Sequence, residues 1–541
     1  MADDSRAIRF DFSANSLTPR PGETISDVLA RGGVPMDHPC GGRGKCGKCL
    51  VLVSPAAEPT EAERAAIGTE ELAAGWRLSC AAPALPGMIV SFRDNRQKDG
   101  HILAAGEARN GGGLRPAADG KYRLAADIGT TTVVVYLLHP KDGHIVATAS
   151  AGNSQVKFGA DVISRIFSAD TDRRNRELLQ DEIIGTLNGL IRGITEKSGV
   201  NTADIGAMYA AGNTTMEHLL LGEDPGPIGR SPFKPTFLRA ADRTAASLKL
   251  DLPAEATVSL TPNISAFVGG DITAGLYHTD IVNNDGASLF IDIGTNSEMV
   301  VCRGGSLYAC SAAAGPALEG AQVSTGVRAM EGAVEKVWAD SNGLHLAAIE
   351  DSPPIGLCGS GIIDMIAVLL NNGVILPAGR FAASENVENA DLARRLRKGK
   401  RNFSEFVYCF AGEYGAASDL VLTQKDVREV QLAKSAIAVG IKKLTEQAGI
   451  TTAELDRIYL GGAFGNYIDR SNAMRMGILP RVPLERVLPV GNCAGLGVCR
   501  SAFDPEADRA FSYIEANCQS INLAAADDFQ QKFVHYLNFD A

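Results

Sequence analysis

The strongest constraint on the fold of this 541-residue chain is an internal repeat. Tyr122-Arg-Leu-Ala-Ala-Asp127-Ile-Gly129-Thr130-Thr131-Thr132-Val-Val-Val is an apolar strand, a tight turn and a second strand rich in β-branched residues. Ser288-Leu-Phe-Ile-Asp292-Ile-Gly294-Thr295-Asn296-Ser-Glu298-Met-Val-Val repeats it in the same order. Two copies so far apart imply two similar halves, not a solenoid. Such a turn sets a carboxylate beside backbone N–H groups and hydroxyls, and its glycine lets a phosphate approach closely. A single copy is explained by turn chemistry. Two copies, together with the glycine-rich turn Gly461-Gly462-Ala-Phe-Gly465 after a late buried strand, point to a shared ligand site.

A second constraint lies near the start. His38-Pro-Cys40-Gly-Gly-Arg-Gly-Lys-Cys46-Gly-Lys-Cys49, followed by Cys80, supplies four thiolates, the ligand count of a [2Fe–2S] cluster. Gly41, Gly42, Gly44 and Gly47 allow positive φ and a close wrap around an inorganic core. Structural zinc is the rival reading, but zinc prefers two short Cys hooks, and Cys80 stands alone in Arg77-Leu-Ser-Cys80-Ala. A disulfide framework is disfavoured by the scatter of the other seven cysteines. Residues 1–93 resemble the [2Fe–2S] ferredoxin family. The spacing departs from the plant type, with five residues between the first two cysteines instead of four, so a plant-type potential does not carry over.

Around the cluster loop, alternation at Ile8, Phe10 and Phe12 predicts a strand, and Thr24 to Arg31 a helix stopped at Gly32-Gly33. Further strands are expected at Leu50–Val53 and Met88–Phe92, a β-grasp order, with Trp76 packed on the sheet. Between 94 and 120 the periodicity disappears around Gly111-Gly-Gly113, which reads as a flexible linker. Beyond it, three- and four-residue apolar spacing predicts helices over 158–169 and 174–198. Strands are expected at 205–213 and 456–460, helices at 214–221 and 423–449, and a helix opened by Gly356-Leu-Cys-Gly-Ser-Gly361. The charged stretch from Arg394 to Arg401 reads as a solvated face. Strand and helix alternate throughout, an α/β architecture.

With 52 Lys+Arg against 63 Asp+Glu, the mildly acidic balance argues against a general nucleic-acid binder. No apolar run approaches the ~18 residues of a spanning helix, and no basic-then-apolar leader opens the chain. The expectation is a soluble, cytoplasmic protein with protein or small-molecule partners. Cys302, Cys310, Cys358, Cys409, Cys493, Cys499 and Cys518 read as small core residues, and His218 and His278 as ordinary histidines more than ligands. Glu298 and Glu319 sit in glycine-rich turns beside the second repeat, which makes them candidate acids.

The two repeats and the late glycine turn resemble the phosphate-1, phosphate-2 and adenosine motifs of the ASKHA superfamily of acetate and sugar kinases, Hsp70 and actin. That resemblance implies ATP with Mg²⁺ between the halves, Asp127 and Asp292 near the metal, and Gly461 to Gly465 at the adenosine. Mg²⁺ binds through one or two acids plus phosphate oxygens, which suits carboxylates there. An N-terminal [2Fe–2S] ferredoxin joined to such an ATPase, with Ala211-Gly-Asn-Thr-Thr-Met216, Ala314-Gly-Pro-Ala-Leu-Glu-Gly320 and Leu460-Gly-Gly-Ala-Phe-Gly-Asn466, resembles the reductive activators of corrinoid proteins over essentially the whole chain. The implied domains are a ferredoxin (1–93), a linker (94–120), a first lobe or middle domain (121–285) and a second lobe (286–541). The implied activity is ATP-dependent reduction of a Co(II) corrinoid (B12) protein to the methyl-accepting Co(I) state.

The implied partners are an electron donor and the corrinoid protein of a methyltransferase system, methionine synthase or a demethylase, and a homodimer is the expected assembly. Two other readings stay open on sequence alone: a ferredoxin-fused small-molecule kinase, and a nucleotide-switched redox-sensing binding protein.

Overall fold

The computed structural model describes residues 8–10, 13–31, 44, 49–92, 114–399, 403–462, 465 and 467–540. The chain divides into two compact units. One holds Met1–Lys98 with Ser154–Glu182; the other holds Asp99–Asn153 with Ile183–Ala541.

In the first unit, strands β1 (Ile8–Phe10), β2 (Ser13–Leu17), β3 (Leu50–Ser54), β4 (Trp76–Leu78) and β5 (Ile89–Phe92) form one sheet in the order β2-β1-β5-β3-β4. β1 runs parallel to β5, and every other pair is antiparallel. Helix α1 (Ile25–Arg31) lies on this sheet, with Ile25, Val28 and Leu29 sharing a core with Ile8, Val51, Val53 and Val90. A reciprocal cap starts α1: Thr24 N and Oγ1 donate to Asp27 Oδ2 at 2.7 and 2.8 Å. A mixed sheet clasping one helix is the expected β-grasp. The strands that apolar alternation did not mark are β2 and β4, both at sheet edges, where short, polar segments suffice.

Two short helices, α2 (Glu61–Ala66) and α3 (Thr69–Ala73), follow β3. Buried Glu63 caps α2 through Thr60, and its Oε1 accepts from Leu78 N at 2.9 Å, tying α2 to β4. Helix α4 (Val162–Thr171) and the part of α5 (Arg173–Ser198) up to Glu182 complete the unit.

The second unit contains two six-stranded sheets that share a five-strand topology and differ in the edge that carries the sixth strand. In the first, β6 (Tyr122–Ile128), β7 (Thr132–Leu138) and β8 (Ile145–Gly152) form an antiparallel meander. β9 (Ile205–Gly212) lies parallel to β6, and β11 (Thr257–Leu260), paired to the short β10 (Arg243–Thr244), lies parallel to β9. In the second, β12 (Ala287–Asp292), β13 (Ser297–Arg303) and β14 (Ser306–Ala312) repeat the meander. Two three-stranded sheets follow: β15 (Ala333–Asp340), β16 (Gly343–Ala348) and β17 (Gly356–Leu357), then β18 (Leu396–Lys398), β19 (Ser404–Cys409) and β20 (Leu420–Thr423). β21 (Leu455–Gly461) then lies parallel to β12, β22 (Val487–Gly491) parallel to β21, and β23 (Cys518–Ser520) parallel to β14. The repeated Asp-Ile-Gly-Thr sequence therefore marks a repeated sheet, with each aspartate at the carboxyl end of its central strand.

Helix α6 (Thr214–Leu221) follows β9, while α7 (Gly270–His278) packs on both sheets, Ala274 sharing a core with Ala125 and Tyr136, and Ile272, Leu276 and Tyr277 one with Phe290 and Val300. Helices α8 (Gly359–Asn371), α9 (Ala390–Arg394), α10 (Gln424–Gln447) and α11 (Arg470–Met476) lie in the second half of the chain. Ile362 to Leu370 are all buried in α8, so the most hydrophobic segment is a core helix. Each such aliphatic side chain contributes roughly 1.5–3 kcal/mol on burial. Its one acid, Asp364, accepts from Asn472 Nδ2 at 2.7 Å and Val337 N at 3.2 Å. The packing boundary between the halves is not the chain boundary. Helix α12 (Cys493–Ser501) follows β22, yet its Val498 and Cys499 share a core with Ala125, Val134 and Tyr136 of the first sheet. Gly497 makes this possible: a Cβ there would lie 2.1 Å from the Ala274 carbonyl oxygen on α7. Helices α13 (Ala507–Asn517) and α14 (Phe529–His535) end the chain.

Of the expected linker, residues 94–113 lie outside the described residues. Residues 114–120 are held against the second unit, with Arg115 N donating to Phe503 O at 2.9 Å and Ala117 N to Pro140 O at 2.8 Å. The charged stretch beginning at Arg394 is not uniformly a solvated face. Arg395 is 4 % exposed and pairs with Asp391 at 2.9 Å and Glu413 at 3.1 Å. Among the described residues, no helix is long and apolar enough to cross a membrane.

Candidate functional site

In the first unit, strand pairing brings two of the four candidate cluster ligands together. β3 and β4 pair Leu50 with Leu78, and Ser79 N donates to Cys49 O at 2.8 Å. Cys49, just before β3, and Cys80, just after β4, thus converge, with their Sγ atoms 3.2 Å apart and no bond between them. Hydrogen bonding from Cys80 brings the Cys49 thiol down to about 6, against the opposing effect of burial. Two unbonded cysteine sulfurs at one point are a soft donor pair that fits an iron–sulfur cluster. Cys40 and Cys46 lie outside the described residues. Gly44, between them, has φ +68°, and a Cβ there would sit 2.9 Å from Ala62 Cβ, so this loop position requires glycine.

The second unit gathers carboxylates at the strand ends of its two sheets, where open α/β sheets place their ligands. Asp127 ends the run Ala125-Ala126-Asp127 in β6, and Asp292 is the last residue of β12. The two feel each other electrostatically: burial first, then the charges of Asp127 and Glu319, push Asp292 up to about 7. Burial pushes Asp127 up to about 6, with a hydrogen bond from the Asn492 amide opposing it. A third acid, Asp271 in the first turn of α7, is pushed up to about 7 by burial and by the Asp292 and Asp127 charges. These three carboxyls are neither fully exposed nor fully buried as residues, and burial dominates the shift of each. All-oxygen donors that repel one another are what a hard divalent cation stabilises.

The candidate glutamates differ in placement. Glu319 is in the turn after Gly315; its Oε1 accepts from Thr295 Oγ1 at 2.9 Å, and burial raises its pKa. Glu298 is not in a glycine-rich turn: it is the second residue of β13, in register with Asp292, and accepts from Ser311 Oγ at 2.9 Å. Burial and the charges of Asp271 and Asp292 push it well above the usual carboxylate range.

The turns are built for close approach. At Gly129 a Cβ would meet Thr132 O at 2.6 Å, and at Gly294 it would meet Asn296 O at 3.2 Å. Thr130 Oγ1 accepts from Asn213 Nδ2 at 2.9 Å, while Thr131 O and Gly129 O accept from Asn153 N and Nδ2, each at 2.9 Å. Gly461 pairs with Asp292 in the sheet, and a Cβ on it would lie 2.8 Å from Cys493 Sγ. Gly462 has φ +81° beside Asp292. At Gly465 a Cβ would meet Leu460 O at 2.4 Å. Ala463, Phe464 and Asn466 lie outside the described residues.

Three residues at this site escaped sequence reasoning: Asp271, Asn213 and Asn492. The signals were present. Asp271 follows Gly269-Gly270 at the start of a helix, and both asparagines follow a strand-ending glycine and cap the next helix, Asn213 for α6 and Asn492 for α12. Asn492 Nδ2 also donates to Tyr136 Oη at 3.2 Å. His218, by contrast, is away from this chemistry. It is buried, stacked on Phe237 at 4.0 Å, with Nδ1 bonded to Thr214 O at 2.6 Å.

Residues 286–541 match the family described as the C-terminal domain of RACo, the ASKHA domain; residues 122–284 match the RACo middle region; and residues 12–85 match the 2Fe-2S iron-sulfur cluster binding domain. The chain is 32% identical over 531 residues to the corrinoid activation enzyme RamQ of Eubacterium limosum, covering 87% of this chain and 89% of that one. It is 27% identical over 262 residues to the [Co(II) methylated amine-specific corrinoid protein] reductase of Methanosarcina barkeri, covering 43% and 42%. Among solved structures, the reductive activator for corrinoid, iron-sulfur protein superposes with a TM-score of 0.70 at 28% identity, over 98% of both chains.

Proposed function

This chain belongs to the RACo family of corrinoid-protein activators, and on that premise we propose that it uses ATP to drive one-electron reduction of a corrinoid protein from Co(II) to Co(I). The observation that carries the reading is the electrostatic proximity of the buried Asp127 and Asp292, at matching strand ends of the two repeated sheets, in a chain that also carries the Cys49–Cys80 thiol pair.

A [2Fe–2S] cluster held by Cys40, Cys46, Cys49 and Cys80 would supply one-electron chemistry. A Mg²⁺ ion would be held by Asp127 and Asp292 and would neutralise the phosphate charge. The chain's own residues do the rest. The turns at Gly129–Thr132 and Gly294–Asn296 offer backbone N–H groups and hydroxyls to the phosphates from both halves. Gly461, Gly462 and Gly465 form the turn against which the adenosine would lie. Glu298 and Glu319, with elevated pKa values, are the acids available to orient water and accept its proton.

Nucleotide is needed because a Co(II)/Co(I) couple lies low, and each ~59 mV of one-electron mismatch reduces the yield of transfer tenfold. ATP bound by turns from both halves favours their closed arrangement. That arrangement prefers the corrinoid protein in the state with the higher cobalt potential, and hydrolysis resets the pair. Differential affinity for two states is the source of the work. The partner is the corrinoid protein of a methyltransferase system, methionine synthase among the candidates, with a separate protein as electron donor. A cytoplasmic homodimer is the working form. The test is anaerobic mixing with reductant and Co(II) corrinoid proteins, with and without ATP, followed through the Co(I) absorption band. ATP-dependent Co(I) with one of them supports the reading. Phosphoryl transfer to a metabolite with no cobalt partner overturns it.

A further inference from the structure

Helix α6 begins beside the first repeat's turn, and its N-terminus is held there from two sides. Asn213 caps it: Oδ1 accepts from Met216 N at 3.0 Å, while Nδ2 donates to Thr130 Oγ1 at 2.9 Å. Gly269, at the start of α7, is pressed against the same point, so that a Cβ on it would lie 2.4 Å from Asn213 Cα and 2.7 Å from Thr214 N. Helix geometry leaves the N–H groups of Thr214 and Thr215 without intrahelical acceptors, and the helix dipole adds partial positive charge there.

The independent observation is Thr215. It is 1 % exposed, and its Oγ1 is buried with no hydrogen-bond partner. Its neighbour Thr214 is different, since Thr214 Oγ1 donates to Ser265 O at 2.6 Å. Helical side chains tilt toward the helix N-terminus, so the Thr215 side chain leans toward the end of α6 that Asn213 ties to the Thr130 turn. A buried hydroxyl left unsatisfied costs free energy, and an acceptor oxygen from a ligand would offset that cost.

We propose that the N-terminus of α6, with the Thr215 hydroxyl, is a phosphoryl subsite that receives the terminal phosphate of ATP and, after hydrolysis, orthophosphate. The inference rests on the nucleotide reading of the cleft and adds to it a contact outside both repeated turns. Because the subsite sits on α6 and is tied through Asn213 to Thr130, it makes the first half respond to the terminal phosphate and not merely to nucleotide. ADP, lacking that phosphate, leaves the Thr215 hydroxyl unsatisfied.

The test uses the full chain with MgADP, MgADP plus beryllium fluoride as the terminal-phosphate analogue, and inorganic phosphate as a competitor. Thr215→Val, which keeps the shape and removes the hydroxyl, is expected to weaken the beryllium fluoride complex about tenfold. It should weaken phosphate competition similarly, leave MgADP affinity unchanged and raise the melting temperature of the unliganded protein. Thr215→Ser should restore wild-type binding. Equal affinities of Thr215→Val and wild type for the beryllium fluoride complex overturn the proposal, as does a parallel loss of MgADP affinity or a lowered melting temperature. Loss of the fluoride complex without loss of phosphate competition confines the subsite to nucleotide and overturns the orthophosphate part. If wild type binds neither nucleotide, the reading of the cleft itself fails, a result distinct from all of these.

Discussion

Gly462 stands so close to Asp292 that a Cβ atom on it would lie 2.3 Å from the carboxylate Oδ1. The glycine turn and the second aspartate are thus one unit, joined also by the sheet pairing of Asp292 with Gly461. Gly462→Ala should displace the carboxylate and strain a backbone at φ +81°, a conformation costing L-residues roughly 1–2 kcal/mol. Calorimetry should find MgADP affinity at least about tenfold weaker, with the absorption of the iron–sulfur unit unchanged.

Nucleotide binding should release protons at pH 6 and little at pH 8. Asp127 is pushed to about 6, and Asp271 and Asp292 to about 7, chiefly by burial, so at pH 6 the unliganded site holds protons that a cation–phosphate complex displaces. Titrations of MgATP in buffers of different ionisation enthalpy measure the count. Proton uptake, or equal release at both pH values, would contradict the crowding of these acids.

Cys80→Ser should abolish the iron–sulfur absorption and ATP-driven Co(I) formation while leaving MgADP affinity within about twofold. The thiol pair lies in the first unit and the carboxylate cleft in the second. Ultraviolet–visible spectra and nucleotide titrations on the same preparation separate the two effects.

His218 should titrate near 4, because burial holds the ring neutral and outweighs the Nδ1 bond to Thr214 O, which favours the charged form; its Nε2 accepts from Thr236 N at 3.2 Å. Its folded pKa lies below the unfolded value of about 6.5. The stability it contributes is therefore complete above pH 6.5 and lost as pH falls toward 4. Carbon-13 imidazole shifts followed from pH 7.5 to 5 should stay constant for this ring; a midpoint near 6.5 would refute its interior role.

Much of the architecture was legible because it rests on local pattern. The repeated Asp-Ile-Gly-Thr turn announced two like sheets, and four cysteines among glycines announced the cluster head. Helices α6 and α10 fall where the sequence placed them, within two residues at each end, and the structure adds the Thr423 cap of α10 through Asp426. What pattern could not supply is proximity between distant segments. Asp271 joins the acids only because α7 begins at the strand ends, and Asn492 reaches Asp127 only because α12 returns to the first sheet. Arg395 looked like surface charge because its partner Glu413 is brought beside it by β18 and β19, not by sequence spacing alone.

The central claim is that the Asp127–Asp292 cleft couples ATP hydrolysis to cobalt reduction. Asp292→Asn measured in one anaerobic assay for both phosphate release and the Co(I) band tests it most directly. The account predicts that both are lost together, with the iron–sulfur spectrum intact. Loss of hydrolysis with undiminished steady-state Co(I) formation would contradict it.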